Sequence, residues 1–213
     1  MKFKDFRLIY VSQDYLNFLH EIDSEIFFMN QKNYEKKPYL GILISENDRK
    51  YVIPLTSAKP RHAKLNDVTT TSYRIYEIID ITKNHYDEND ILVDADVEWL
   101  KSKAINPSDY FKYKKRLLSI LDLRKMFPIK DGTYTLIELD LNVPLDLEEK
   151  QRRILMQKEY DFCVRLKDSI RKKASKIYRK QMESGKILPF HCNFKLLEQV
   201  SDTYQLKQKD IES

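Results

Sequence analysis

Short runs rich in β-branched and aromatic residues fill the first two thirds of the chain, and apolar residues spaced by three and four fill the last third. Residues 3–11 mix aromatic and aliphatic side chains with charges and predict a first strand. Ser12 then reads as an N-cap. Tyr15, Leu16, Leu19 and Ile22 follow at helical spacing, predicting an amphipathic helix to about Glu25. Ile26-Phe27-Phe28-Met29 is a bulky cluster that suits the core, and 30–37 is a polar loop. Tyr39–Ser45 and Tyr51–Leu55 flank the polar turn Glu46–Lys50, a hairpin pattern.

Leu65–Ser72 is a polar, Thr-rich crossing. Tyr73–Ile81 is strand-like, with Tyr73, Ile75, Glu77 and Ile79 on one face and Arg74, Tyr76 and Ile78 on the other. An acidic loop, Lys83–Asp90, separates this from Tyr113–Leu118, which begins basic and turns apolar. Met126–Ile129 predicts a short strand with an edge proline, and Thr133–Leu141 shows the clearest alternation in the chain. Asp146 caps a predicted helix over 147–166 whose apolar residues include Leu147, Ile154, Leu155, Phe162 and Leu166. Ser169 restarts a second helix ending at Gly185, with Ile170, Ala174, Ile177 and Tyr178 as its apolar stripe. His191–Phe194 reads as irregular or a short strand, Lys195–Val200 as a closing helix, and the final residues as a frayed tail.

The charge is uneven. Across 213 residues the net charge is +5, and the second long helix carries Lys167, Arg171, Lys172, Lys173, Lys176, Arg179 and Lys180 almost without acids. Like charges on one helix face repel, so such a face wastes stability unless a polyanion neutralises it. Nucleic-acid contact and plain solvation both fit the pattern. Only three glycines occur, which excludes Gly-rich phosphate loops and dinucleotide fingerprints. Cys163 and Cys192 are too far apart for a zinc or disulfide pattern and read as buried thiols. Asp87, Glu88, Asp90, Asp94 and Asp96 form one continuous local run, which suits a solvated loop better than the converging carboxylates of a Mg²⁺ site. The opening residues lack an apolar signal region and no run approaches a membrane span, so a reduced, cytoplasmic protein is expected.

Chemistry concentrates where the second hairpin strand ends. Tyr51–Leu55 breaks into two hydroxyls, Thr56 and Ser57, followed by Lys59, Arg61, His62 and Lys64. Hydroxyl donors can orient a phosphate and cations can neutralise it, although the same residues also suit a plain turn and a solvated loop. The hairpin brings Lys37 beside Thr56, Ser57 and Lys59, with Tyr34 on the loop just before. Lys36 remains the alternative to Lys37. His62 fits either an acid–base role or a phosphate contact. Ser57 as a covalent nucleophile lacks evident His and Asp partners.

The chain resembles the toxins of type III toxin–antitoxin systems, the ToxN/AbiQ family of endoribonucleases. The residues that carry the likeness are Phe6–Tyr10 with Tyr15, Tyr34–Gly41, Pro54–Lys59 with His62, Met126–Ile129 and Cys192–Glu198, in the family's order. The resemblance implies a single α+β domain over 1–213: a small, highly twisted antiparallel sheet of the Kid/MazF kind, wrapped by helices. It makes 80–112 a variable insertion and leaves 205–213 as a flexible tail. It places Tyr34, Lys37, Thr56, Ser57 and Lys59 in the active site, with no cofactor and no metal. It implies an RNA antitoxin of repeated pseudoknots that ties several toxins into a closed ring, and a role in phage defence by abortive infection.

RNA cleavage without a metal uses the substrate's 2′-hydroxyl to attack the adjacent phosphorus, leaving a 2′,3′-cyclic phosphate and a 5′-hydroxyl. Lysines suit stabilisation of the pentacoordinate oxygens, and crowding Lys37 against Lys59 would lower their pKa values. RNA contact is expected from Tyr15, Arg61, His62, Lys64 and the seven cations of the second helix. A non-catalytic RNA-binding protein using the same basic faces is the competing reading, and a Mg²⁺ nuclease using the acidic loop is a third.

Overall fold

The computed structural model describes residues 3–28, 37–44 and 49–206. Tyr34, Lys36, Met29, the tip of the hairpin turn and the tail from 207 lie outside them.

The predicted strands, joined by a strand at 91–94 that the sequence did not announce, assemble into one antiparallel sheet. Its members are β1 (Arg7–Val11), β2 (Tyr39–Ile44), β3 (Arg49–Ser57), β4 (Ser72–Asp80), β5 (Ile91–Asp94), β6 (Tyr113–Asp122), β7 (Phe127–Pro128) and β8 (Tyr134–Leu136). The main path runs β4-β6-β3-β2-β1-β8, with β5 paired to β6 and β7 to β3. Helices α1 (Gln13–Ile22), α2 (Val97–Ser102), α3 (Leu147–Arg165), α4 (Lys167–Ser184) and α5 (Phe194–Thr203) complete the fold. The architecture is α+β, as the sequence and its resemblance lead one to expect.

Strand β3 is the axis. It pairs with β2 along one edge, while along the other it meets β7 through Tyr51 and Val52 and β6 through Leu55–Ser57. Pro54 falls in the gap between these two partners, where the N–H it lacks would have had no acceptor. A proline in a central strand is thereby accommodated. β5 continues the edge of β6 where β3 leaves off: Ser57 pairs with Ser119, and Ile91 with Leu117. Between them Leu118 is an extra residue that β4 skips, and its carbonyl accepts the Ala58 N–H at 3.1 Å.

Several sequence expectations change on packing. The alternation over 133–141 gives only a three-residue strand, because β8 pairs with β1 and β1 begins only at Arg7, the preceding Phe6 turning the chain away at φ 61°. Phe27 is 58% exposed, so among the described residues of that cluster Ile26 is buried in the core and Phe28 packs at its edge. In α3 the buried row is Met156, Glu159, Phe162 and Cys163, while Leu147 is 73% exposed and Leu155 also faces out. His191–Asn193 is irregular rather than a strand. Helix starts and stops follow the sequence closely. The Ser12 and Asp146 side chains accept backbone N–H groups, and Gly185 closes α4 at φ 65°. Both cysteines are buried and free.

Residues 83–89 form an exposed loop, as the sequence suggests, but the acids at its end and beyond are not left to solvent alone. Asp90, Asp94 and Asp96 pair with Arg116, Lys114 and Lys115 on β6, so the acids of β5 answer the cations of the strand beside them. Among the described residues no helix is long and apolar enough to cross a membrane.

Candidate active site and basic groove

The site forms at the mouth of the β2–β3 hairpin. The register pairs Tyr39 with Pro54, and the Leu55 N–H to Pro38 carbonyl bond of 3.2 Å extends it past the end of β2. The next pair along that register is Lys37 with Thr56. Residues so opposed put their side chains on one face, with Cβ atoms about 5 Å apart. Across the sheet Thr56 pairs with Ile120 and Ile120 with Arg74, so Thr56, Lys37 and Arg74 share that face. Ser57 is the last residue of β3 and is exposed. Strand alternation sends it to the opposite side, so the two hydroxyls flank the strand end instead of lying side by side.

Lys37 is largely enclosed, with its Nζ 5.2 Å from the Phe27 ring centre and 5.7 Å from that of Tyr39. Burial lowers its pKa to about 8. The cause is loss of water rather than the crowding by Lys59 that the sequence suggests. Two aromatic faces help hold the ammonium, which stays mostly charged at pH 7 and gives up its proton only a little above it. Lys59 is exposed at the start of the next turn.

That turn, Pro60–Lys64, is a single 3-10 turn tied closed by His62. The His62 N–H donates to the Lys59 carbonyl at 2.7 Å, and the Lys59 N–H donates to His62 Nδ1 at 3.0 Å. A neutral imidazole has one acceptor nitrogen, and this bond assigns it to Nδ1, leaving Nε2 protonated. The Arg61 contact to Nε2, at 3.4 Å, is then proximity rather than a hydrogen bond. Burial, then the charges of Arg61 and Lys59, hold the His62 pKa below its ordinary value, so the ring is neutral at pH 7. Its position is fixed by Lys59, which fits a scaffold for the turn better than a phosphate contact. Arg61 and Lys64 are exposed beside it.

A second feature lies between α4 and the loop 66–71, a groove of about 1080 Å³. Lys172, Lys173, Lys176 and Lys180 line it, joined by Lys186 and the Thr69–Thr71 backbone turn. Lys173 donates to the Thr69 carbonyl and lies 4.4 Å from the centre of the Tyr73 ring, and burial lowers its pKa. The basic face of α4 is therefore split. Arg171 pairs with Asp5, and both Arg171 and Lys167 lie over the Phe6 ring on another side of the helix. Arg179 is exposed and does not line the groove.

Tyr15 is a correction. It is 0% exposed, and its hydroxyl donates to the Pro128 carbonyl at 2.9 Å and meets Ser201 Oγ at 2.7 Å. A phenol held inside the core offers no face to RNA. Conversely, sequence reading passed over Arg74, which grips the turn from below, and Thr69–Thr71 and Lys186, which complete the groove. Arg74 had one signal: a cation between Tyr73 and Ile75 in a strand needs a partner once it is buried.

A family model for "Toxin ToxN, type III toxin-antitoxin system" matches residues 7–202. The chain belongs to the ToxN family. This ToxN-family chain is 26% identical over 207 residues to the endoribonuclease AbiQ of Lactococcus lactis subsp. lactis, spanning 94% of this chain and 90% of the relative. It is 23% identical over 203 residues to the endoribonuclease ToxN of Pectobacterium atrosepticum, spanning 95% of each. Its fold matches that of AbiQ, described as a lactococcal anti-phage endoribonuclease of the type III system, with a TM-score of 0.63 at 23% identity over 96% of this chain and all of the other. It also matches a structure from a study of selective toxin inhibition by a non-coding RNA pseudoknot, with a TM-score of 0.65 at 19% identity over 96% and 100%.

Proposed function

We propose that this ToxN-family chain is the toxin of a type III toxin–antitoxin system, an endoribonuclease that acts in phage defence by abortive infection and is restrained by an RNA antitoxin. The reading rests on the hairpin mouth, where Lys37 faces Thr56 and the exposed Ser57 and Lys59 follow at once. Its donors are hydroxyls and ammonium groups. That set binds oxyanions and repels metal cations, which favours metal-free transesterification.

In this mechanism the substrate's 2′-hydroxyl attacks phosphorus and gives its proton to solvent water, as the P–O2′ bond forms and the bond to the 5′-oxygen breaks. Thr56 and Ser57 hydroxyls, one on either side of the strand end, donate to non-bridging oxygens. Lys59 neutralises the charge that grows on them. Lys37, with its pKa near 8, is suited to pass a proton to the departing oxygen and be recharged from solvent. Tyr34 would stack on a base or share in that proton transfer. Arg61 and Lys64 extend the cationic approach, and the lysine groove along α4 is suited to phosphates of the RNA antitoxin. Repeated antitoxin units would then join toxins in a closed ring.

The test is end-group analysis of RNA cut by the purified protein with and without EDTA. Expected are 5′-hydroxyl and 2′,3′-cyclic phosphate ends formed equally in both. A 5′-phosphate, or loss of cutting with chelator, contradicts the mechanism. Tight salt-sensitive binding without scission would mark a non-catalytic RNA-binding protein instead.

A further inference from the structure

The turn that carries Lys59 is held from behind by a chain of alternating charges. Arg74 Nη1 donates to the carbonyls of His62 at 3.2 Å and Ala63 at 2.9 Å. Its Nε donates to Asp67 Oδ1 at 3.0 Å, and its Nη2 donates to the same oxygen. The other Asp67 oxygen accepts from Lys115 Nζ at 2.5 Å, and Lys115 is in turn 2.5 Å from Asp96. The Lys115 ammonium also stands 4.7 Å from the centre of the Tyr76 ring. Its side chain is 3% exposed and that of Arg74 7%.

Two buried cations thus alternate with two partly exposed carboxylates along this path, and their charges cancel. The Arg74 link is directional, since a guanidinium fork fixes the carbonyls it holds, and Lys115 anchors the carboxylate that orients that fork. Burial pushes the Asp67 carboxyl up, but the Lys115 and Arg74 hydrogen bonds outweigh it and keep the group below its usual range. The far end of the path, Asp96, belongs to the segment 80–112. That segment is placed to reach the site because β5 abuts the end of β3 along the edge of β6 and packs against the turn.

We infer that the β5–α2 segment is a brace for the cleavage site: Asp96, Lys115, Asp67 and Arg74 are positioning residues that set the Lys59–His62 turn over the face shown by Thr56 and Lys37. Asp96 is the informative link, because it is half-exposed and its loss leaves Lys115 paired with Asp67. The brace therefore loosens without stranding a buried charge.

The inference rests on the proposed cleavage site, and two readouts keep the two apart. Asp96→Ala, Asp96→Glu and Arg74→Lys are compared with the wild-type chain for RNA cleavage and for amide hydrogen exchange. Expected for Asp96→Ala is a turnover lowered about tenfold with KM little changed, because displacement of an oriented group costs rate rather than binding. The Leu65 and His62 amides should exchange faster while the sheet amides and the melting temperature hold. Asp96→Glu should recover most of the turnover. Arg74→Lys, which keeps charge but loses the fork, should lose more than Asp96→Ala. The inference is overturned if turn exchange is unchanged in Asp96→Ala and Arg74→Lys, or if exchange rises throughout the sheet. Unchanged turnover beside a loosened turn also overturns it. If the wild-type chain does not cut RNA, the proposed function fails, and the exchange arm alone still decides whether the brace exists.

Discussion

Lys37 stands across the hairpin ladder from Thr56 with its ammonium enclosed by Phe27 and Tyr39. A charge kept out of water at the mouth of a sheet costs stability that only function can justify. Lys37→Met should therefore stabilise the protein by ~1–3 kcal/mol at pH 7, the linkage equivalent of its lowered pKa less the aromatic contacts it gives up. The same change should reduce RNA cleavage by roughly 100-fold or more. The sign follows from where the proton sits. Between pH 8 and 10.5 the unfolded lysine keeps a proton that the folded one has released, so wild-type stability climbs through that window and the advantage of the variant fades. Urea melts of both proteins at pH 7 and above pH 10 check it.

His62 holds the Lys59 N–H only while its Nδ1 carries no proton. Its pKa lies below the usual 6.5, so the bond contributes fully above that pH and is lost as pH falls through the folded value. Cleavage should fall on the acid side in step with this titration. His62→Asn, whose side-chain oxygen can accept the same N–H as an Asx turn, should retain activity and flatten that limb. His62→Ala should lose about tenfold at pH 7, the scale of a misplaced neighbouring group. A pH–rate profile of the three proteins separates this role from direct proton transfer, in which the asparagine variant would be as inactive as alanine.

The hairpin and its mouth were legible because they depend on local pattern: two β-rich runs, a polar turn and a strand ending in hydroxyls. Caps were legible for the same reason, as at Ser12, Asp146 and Gly185. What depends on distant partners was not. Nothing in the sequence near Thr133–Leu141 reveals that β1 reaches back only to Arg7 and leaves the later alternating residues without a neighbour. The acids at 90, 94 and 96 look unpartnered until β5 is laid beside the cations of β6. Tyr15 reads as an RNA contact until its hydroxyl is found against Ser201, 186 residues away. Arg74 was assigned to the correct face, yet its role depends on a loop whose path no periodicity describes.

Glu159 sits in the buried row of α3, where burial raises its carboxyl to about 7 and the Ser119 hydroxyl opposes this more weakly. A carboxyl that titrates higher when folded favours the native state below pH 4.5, and that contribution is lost as pH rises through 7. The difference in unfolding free energy between Glu159→Gln and wild type should therefore shift by ~1–3 kcal/mol in favour of the variant between pH 5 and pH 8. Comparing the two pH values cancels whatever the amide itself costs in the site. Denaturant melts at both pH values would refute the buried-acid reading if the difference stayed constant.

The split face of α4 makes a prediction about RNA affinity. Lys172, Lys176 and Lys180 line the groove, whereas Arg171 is already paired with Asp5 on another side of the helix. Each groove lysine that meets a phosphate releases a counterion when RNA binds, so replacing it with alanine should reduce the slope of log affinity against log salt by ~0.7–1. Arg171→Ala should leave the slope nearly unchanged, because a cation with a carboxylate partner has little condensed charge to exchange. The measurement is RNA binding at several salt concentrations in a Lys37→Met background, where cleavage does not consume the ligand. Equal effects from Arg171 and the groove lysines would mean that RNA follows a different track over the helix, and that the sequence's picture of one continuous basic face describes the complex better than the groove does.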